Sequence, residues 1–185
     1  METIKNVTAA KPAVGGAVWV APIGSTLPTD ATSILDTAFK ALGFVSEDGV
    51  VNSNSPESDD LKAWGGKIVY SVTTERPDTF KITFIESLNG DVLKIIYGED
   101  AVTVAETGAI SVKVGASELE DHCYVCDMIL RDGVLKRIVI PDGKLSDLGD
   151  ISYKDDELVG YESTITALPD ASGYNHYEYI AKKGS

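Results

Sequence analysis

The sequence predicts a mainly β fold, an antiparallel β-sandwich or half-barrel with a short flanking α-helix. Three observations carry that expectation: short runs alternate apolar and polar residues with a period of two, turn residues separate the runs, and one segment has a firm helical stripe. With 185 residues there is enough chain for one sizeable core, so residues 1–185 are read as a single domain.

Residues 1–27 are the least patterned part and are read as an N-terminal arm or strand. Over 33–42, Leu35, Phe39 and Leu42 fall on one stripe before Gly43, which predicts a second short helix or else an irregular arm. Residues 46–60 hold Ser46, Glu47, Asp48, Glu57, Asp59 and Asp60, no basic residue, and the polar run Asn52-Ser53-Asn54-Ser55-Pro56. That composition predicts a long mobile loop, bounded at residue 66 by Gly65-Gly66. Such a loop is uncommon inside a compact domain unless it has a job, so it is the first candidate for an interaction. A plain solvated loop is the competing reading.

Beyond it, Ile68, Tyr70 and Val72 alternate with polar or outward positions, as do Phe80, Ile82 and Phe84. The turn between them, Arg76-Pro77-Asp78, predicts a hairpin with Pro77 where its missing N–H costs nothing. Leu88, Val92, Ile95 and Ile96 share a helical face, with Ser87 or Asn89 to cap it and Gly98 to end it. Further strands are expected over 101–105, 109–114, 122–130, 134–140, 158–167 and 174–181, with Asp132-Gly133 as a tight turn. Trp64, Phe80, Phe84, Leu88, Val92 and Ile96 are assigned to the structural core.

Charge excludes some functions. Lys and Arg number 16 against 29 Asp and Glu, a net charge of −13, and a chain this acidic repels phosphate, so tight duplex binding and docking on anionic membranes are not expected. Pro12 to Thr29 is the longest uncharged stretch, but Pro12, Gly15, Gly16, Pro22, Gly24 and Pro28 interrupt it, so no transmembrane segment and no membrane partner are expected. Two cysteines and no signal-peptide pattern point to a reducing cytoplasm.

Motifs for chemistry fare poorly. His122, Cys123, Cys126 and His176 nominally make a Cys2His2 zinc set, yet on a strand the odd spacing sends the two thiols to opposite faces. With no helix following, a redox Cys-x-x-Cys site is also disfavoured, and small buried thiols are expected. Gly65-Gly66-Lys67 lacks the Ser or Thr of a phosphate loop. Tyr174, Tyr177 and Tyr179 suit packing better than ligand stacking. No catalytic residue, metal ligand or cofactor site is therefore expected.

Taken in order, Leu42-Gly43-Phe44-Val45-Ser46-Glu47-Asp48-Gly49-Val50, Ala63-Trp64-Gly65-Gly66, residues 79–86, and Val92-Leu93-Lys94-Ile95-Ile96-Tyr97-Gly98 resemble the major tail proteins, or tail tube proteins, of long non-contractile-tailed bacteriophages. Arg137-Ile138-Val139-Ile140-Pro141-Asp142-Gly143, Gly149-Asp150-Ile151 and Tyr161-Glu162-Ser163-Thr164-Ile165-Thr166-Ala167 are similar to that family's closing strands. The resemblance implies a virion structural protein assembled in the host bacterial cytoplasm, with hexameric rings stacking into a tail tube. Its implied partners are further copies of itself, a tape-measure protein and a tail-terminator protein, with DNA passing through the lumen without tight binding. Ser46, Glu47, Asp48, Asn52, Asn54, Glu57, Asp59 and Asp60 are then the expected ring-to-ring contact. The rivals are a soluble β-sandwich ligand-binding module using the tyrosines and acidic loop, and a cysteine-based redox or zinc protein.

Overall fold

The computed structural model describes residues 6–13, 17–116 and 118–182; the rest of the expected N-terminal arm, residues 1–5 and 14–16, lies outside the described residues. The strands are β1 (Lys11–Pro12), β2 (Val18–Pro22), β3 (Lys40–Ala41), β4 (Val45–Ser53), β5 (Glu57–Lys62), β6 (Ile68–Glu75) and β7 (Thr79–Phe84). After helix α1 (Gly90–Tyr97) come β8 (Val102–Val104), β9 (Ile110–Val112), β10 (His122–Ile129), β11 (Leu135–Leu148), β12 (Tyr161–Ala167) and β13 (Tyr177–Ala181). The fold is mainly β and the pairings are antiparallel.

One sheet dominates, in the order β3-β2-β10-β11-β12-β7-β4, with β1 added to β10 and β13 to β11. Strand β11 organises it: Leu135–Val139 is flanked by β10 and β13, and Gly143–Leu148 continues onto β12. The sequence ends this strand at Ile140, before Pro141, but the strand runs on because the ladder to β10 is irregular there. A bulge is a place where a sheet tolerates a proline. Gly143 follows, and a Cβ there would lie 2.7 Å from the Tyr124 ring, so only glycine lets that ring close over the bend.

Helix α1 and the β8–β9 hairpin cover one face of the sheet, burying Phe80, Phe84, Ile140 and Ile165 against Val92, Leu93, Ile96 and Val102. The helix starts where Asn89 Oδ1 accepts the Asp91 N–H at 3.0 Å and stops at Gly98, whose φ is +100°. On the other face Cys123, Val125 and Val139 pack with Ala21, Phe39 and Leu35.

Several expectations are corrected. Residues 33–42 form no helix and match the irregular-arm alternative: Asp30 and Asp36 take nearby backbone N–H groups in local turns, and such side-chain bonds compete with helix formation. Residues 46–60 are not a mobile loop but largely strand, since β4 pairs with β7 and β5 with β6; edge strands accept polar residues that a central strand would not. The hairpin expected between residues 68–73 and 80–84 does not form, because both edges of β7 are taken by β4 and β12. Leu88 precedes the helix cap and is exposed rather than buried. Trp64 is fully exposed at a turn apex and is no part of the core.

Candidate assembly interface

Strands β5 and β6 form a separate two-stranded sheet that pairs with no other strand. Leu61 sits opposite Tyr70, and Asp59 opposite Val72, so Leu61, Ile68, Tyr70 and Val72 line one face. None of the described residues covers that face: all four are exposed, and Tyr70 keeps 64% of its surface in solvent. At the tip, Ala63 N–H donates to the Lys67 carbonyl and Gly66 N–H to the Ala63 carbonyl. Gly65 and Gly66 have φ of +101° and +87°, a conformation that glycine adopts freely, and Trp64 stands clear of the turn between Lys62 and Lys67.

The hairpin has a fixed base. Asn52 Nδ2 donates to Asp78 Oδ1 at 2.8 Å and to the Thr79 carbonyl at 3.1 Å, while Arg76 Nε donates to Asn54 Oδ1 at 2.5 Å. Asp78 is buried, and its other oxygen meets His176 Nδ1. The arm is thus anchored by these hydrogen bonds at one end of β4, although its own faces are bare.

A cleft of about 900 Å³ lies at the other end of β4, between its first residues and β1. Pro12, Phe44, Val45, Val50 and Met128 give it an apolar lining, and Glu47, Asp48 and Glu86 stand around it with Lys11. Between Val45 and Val50 the register against β7 slips, so residues 46–49 bow outward as a wall. Glu86 holds the approach in place: its Oε1 accepts the Phe44 N–H at 2.9 Å. A Cβ on Gly43 would lie 1.9 Å from the same carboxyl group, and Gly43 has φ of +75°.

An exposed, rooted, amphipathic arm and an apolar cleft are features of a subunit that completes itself against other copies. A profile of phage tail tube proteins matches residues 4–184. The chain belongs to the phage tail tube protein family. No curated protein matches it. The family is a structural one, a component of the virion tail.

In this tail tube protein the eight residues expected to form one contact loop fall into three places. Ser46, Glu47 and Asp48 wall the cleft, Asn52 and Asn54 clamp the hairpin base, and Glu57, Asp59 and Asp60 lie on β5. Of the assigned core residues, Phe80, Phe84, Val92 and Ile96 are buried. The two thiols point to opposite faces of β10, Cys126 into the core beneath α1 and Cys123 into the other. Burial pushes the Cys126 thiol up to about 12 and raises that of Cys123. Tyr177 and Tyr179 stack against the second core, and the Tyr177 hydroxyl donates to Asp170 at 2.6 Å, so packing occupies two of the three tyrosines, while Tyr174 rests its ring near Tyr177 and stays exposed. Among the described residues no helix is long and apolar enough to cross a membrane.

Sequence reasoning missed Arg137, which is buried and forks onto Asp127, Nε to Oδ1 at 2.6 Å and Nη2 to Oδ2 at 2.9 Å. Its Nη1 donates to the carbonyls of Asp30 and Ser33 and pins that segment to the sheet. The signal was present: Asp127 and Arg137 are cross-strand partners about the Asp132-Gly133 turn.

Proposed function

We propose that this tail tube protein assembles into hexameric rings that stack into a tube, and that the β5–β6 hairpin with its β4 root is the ring-to-ring contact. The observation that carries this is the uncovered apolar face of Leu61, Ile68, Tyr70 and Val72 on an arm whose base is clamped. An isolated two-stranded hairpin is marginal in water, so an arm of this kind gains its cover from another copy. Among the described residues the outer edge of β13 has no pairing strand, and in a ring such edges become pairing partners. A tape-measure protein fills the lumen during assembly, a tail-terminator protein stops growth, and DNA leaves through the finished conduit.

Deletion of residues 57–75, closed by a short Gly-Ser linker, tests the reading. The arm contributes nothing to the main cores, so the variant should fold and melt cooperatively yet form no long tubes in negative-stain images at concentrations where the parent does. Normal tubes from the deletion variant would remove the hairpin from the contact.

A further inference from the structure

Trp64 and the cleft at the start of β4 are two unmatched features of the same chain. The indole is fully exposed on a turn with no packing partner among the described residues, an arrangement that leaves a large apolar group in water. The cleft, at about 900 Å³, falls within the range of about 300–1,000 Å³ that buries compact ligands, so it has room for an indole and part of its turn. Its apolar lining is what an indole requires.

Charge points the same way. Lys62 and Lys67 flank Trp64, and neither has an ion-pair partner among the described residues. Around the cleft three carboxylates, Glu47, Asp48 and Glu86, outweigh the single ammonium of Lys11. A basic tip carrying an aromatic anchor therefore complements an acidic rim around an apolar floor.

Position decides which copy supplies the tip. In the ladder with β7, Val45 lies opposite Phe84 and Ser53 opposite Thr79, so the cleft end and the hairpin end of β4 are five residues of regular strand apart, roughly 17 Å at the usual rise. Trp64 is fully exposed and is not among the residues that line the cleft, so the chain does not seat its own indole there. We infer that the hairpin tip of one copy, with Trp64 as anchor and Lys62 and Lys67 beside it, seats in the β1–β4 cleft of a second copy. This rests on the hairpin being the ring-to-ring contact and names the surface that receives it. Because tip and cleft are different surfaces, the contact is heterologous and repeats from copy to copy without closing on a pair, which gives the stack a direction.

Cross-linking tests the seat directly. Ala63→Cys beside the indole and Phe44→Cys at the cleft mouth, placed in one chain, should yield a ladder of covalent oligomers when assembled protein is oxidised. Cys123 and Cys126 are both buried, so they do not contribute. Reversing the tip charges (Lys62→Glu with Lys67→Glu) or the rim charges (Glu47→Lys with Asp48→Lys) should each stop tube growth, and the chain carrying all four changes should recover it. Trp64→Ala should raise the subunit concentration needed for tubes at least about tenfold, as loss of an interface tryptophan does, with an unchanged melting temperature. Tubes that form without a 63-to-44 cross-link and ignore rim reversal would overturn the seat. The hairpin deletion decides separately whether the ring-to-ring reading survives.

Discussion

Arg137 and Asp142 show what single side chains do in this sheet. A buried guanidinium is tolerable only when its donors are satisfied, and Arg137 meets that condition through Asp127, Asp30 and Ser33. Arg137→Ala strands the Asp127 carboxylate and frees the 30–33 turn, so it should cost about 3 kcal/mol or more in urea unfolding. Arg137→Lys should recover little of that, because an ammonium cannot fork. Asp142 is the opposite case. Its Oδ1 and that of Asp121 are buried without a hydrogen-bond partner among the described residues, and burial, then the Asp121 charge, raises the Asp142 carboxyl above its usual value of 3.8. A raised carboxyl means that the fold favours the protonated form, so stability is lost as pH rises from that ordinary value through the raised one. Asp142→Asn removes the penalty and supplies an amide that can donate toward Asp121. Its melting temperature should exceed the parent's at pH 7, and the difference should vanish by pH 3. Both residues fall in the run 137–143 that resembles the family's closing strands, but the pairing of Arg137 with Asp127 and the closeness of Asp142 to Asp121 depend on the register across β10 and β11, which alternation alone does not fix.

Elements were legible where a local signal also fixed the partner. Helix α1 has a stripe, a capping asparagine and a terminating glycine within one short span, and its apolar face has only the sheet to cover. Ile96→Ala should therefore cost roughly 2–5 kcal/mol, whereas Leu88→Ala, outside the cap and exposed, should change stability by no more than about 0.5 kcal/mol; paired chemical denaturation curves separate the two. The β5–β6 hairpin was misread for the converse reason. Alternation at Ile68, Tyr70 and Val72 correctly marks one apolar face, but it does not say what covers that face. If the cover is sought inside the same chain, the pattern pairs these residues with β7 and puts Trp64 in the interior. The polar run from Ser46 to Asp60 looked like a loop because an edge strand and a bare arm both tolerate polar side chains. The candidate interface was thus visible in outline, as a segment with a job, and invisible in geometry, since its cover belongs to another molecule.

At the scale of the whole molecule, the net charge of −13 has to be reconciled with a conduit for a polyanion. Tight binding would hold DNA in place, because each phosphate matched by a free Lys or Arg releases condensed counterions and deepens the well. Part of the cationic charge is already paired. Lys40, Lys81, Lys94, Lys136, Lys144 and Lys154 each already lie within 3.3 Å of a carboxylate, while Asp155, Asp156 and Glu157 are exposed. Among the described residues Lys11, Lys62, Lys67, Lys113 and Lys182 have no ion-pair partner, and the proposed seat places Lys11, Lys62 and Lys67 at the contact between copies. The wall facing the lumen is therefore expected to be acidic, so that DNA slides along it without phosphate-binding wells. Charge needed only to keep free subunits apart would be met on the outer surface, so the two roles differ in where the carboxylates sit. Assembled tubes should not retard duplex DNA in a gel-shift at about 0.15 M salt, where the Debye length is about 8 Å. A reconstruction with a net positive lumen, or retention of DNA that weakens steeply as salt is added, would refute the acidic conduit.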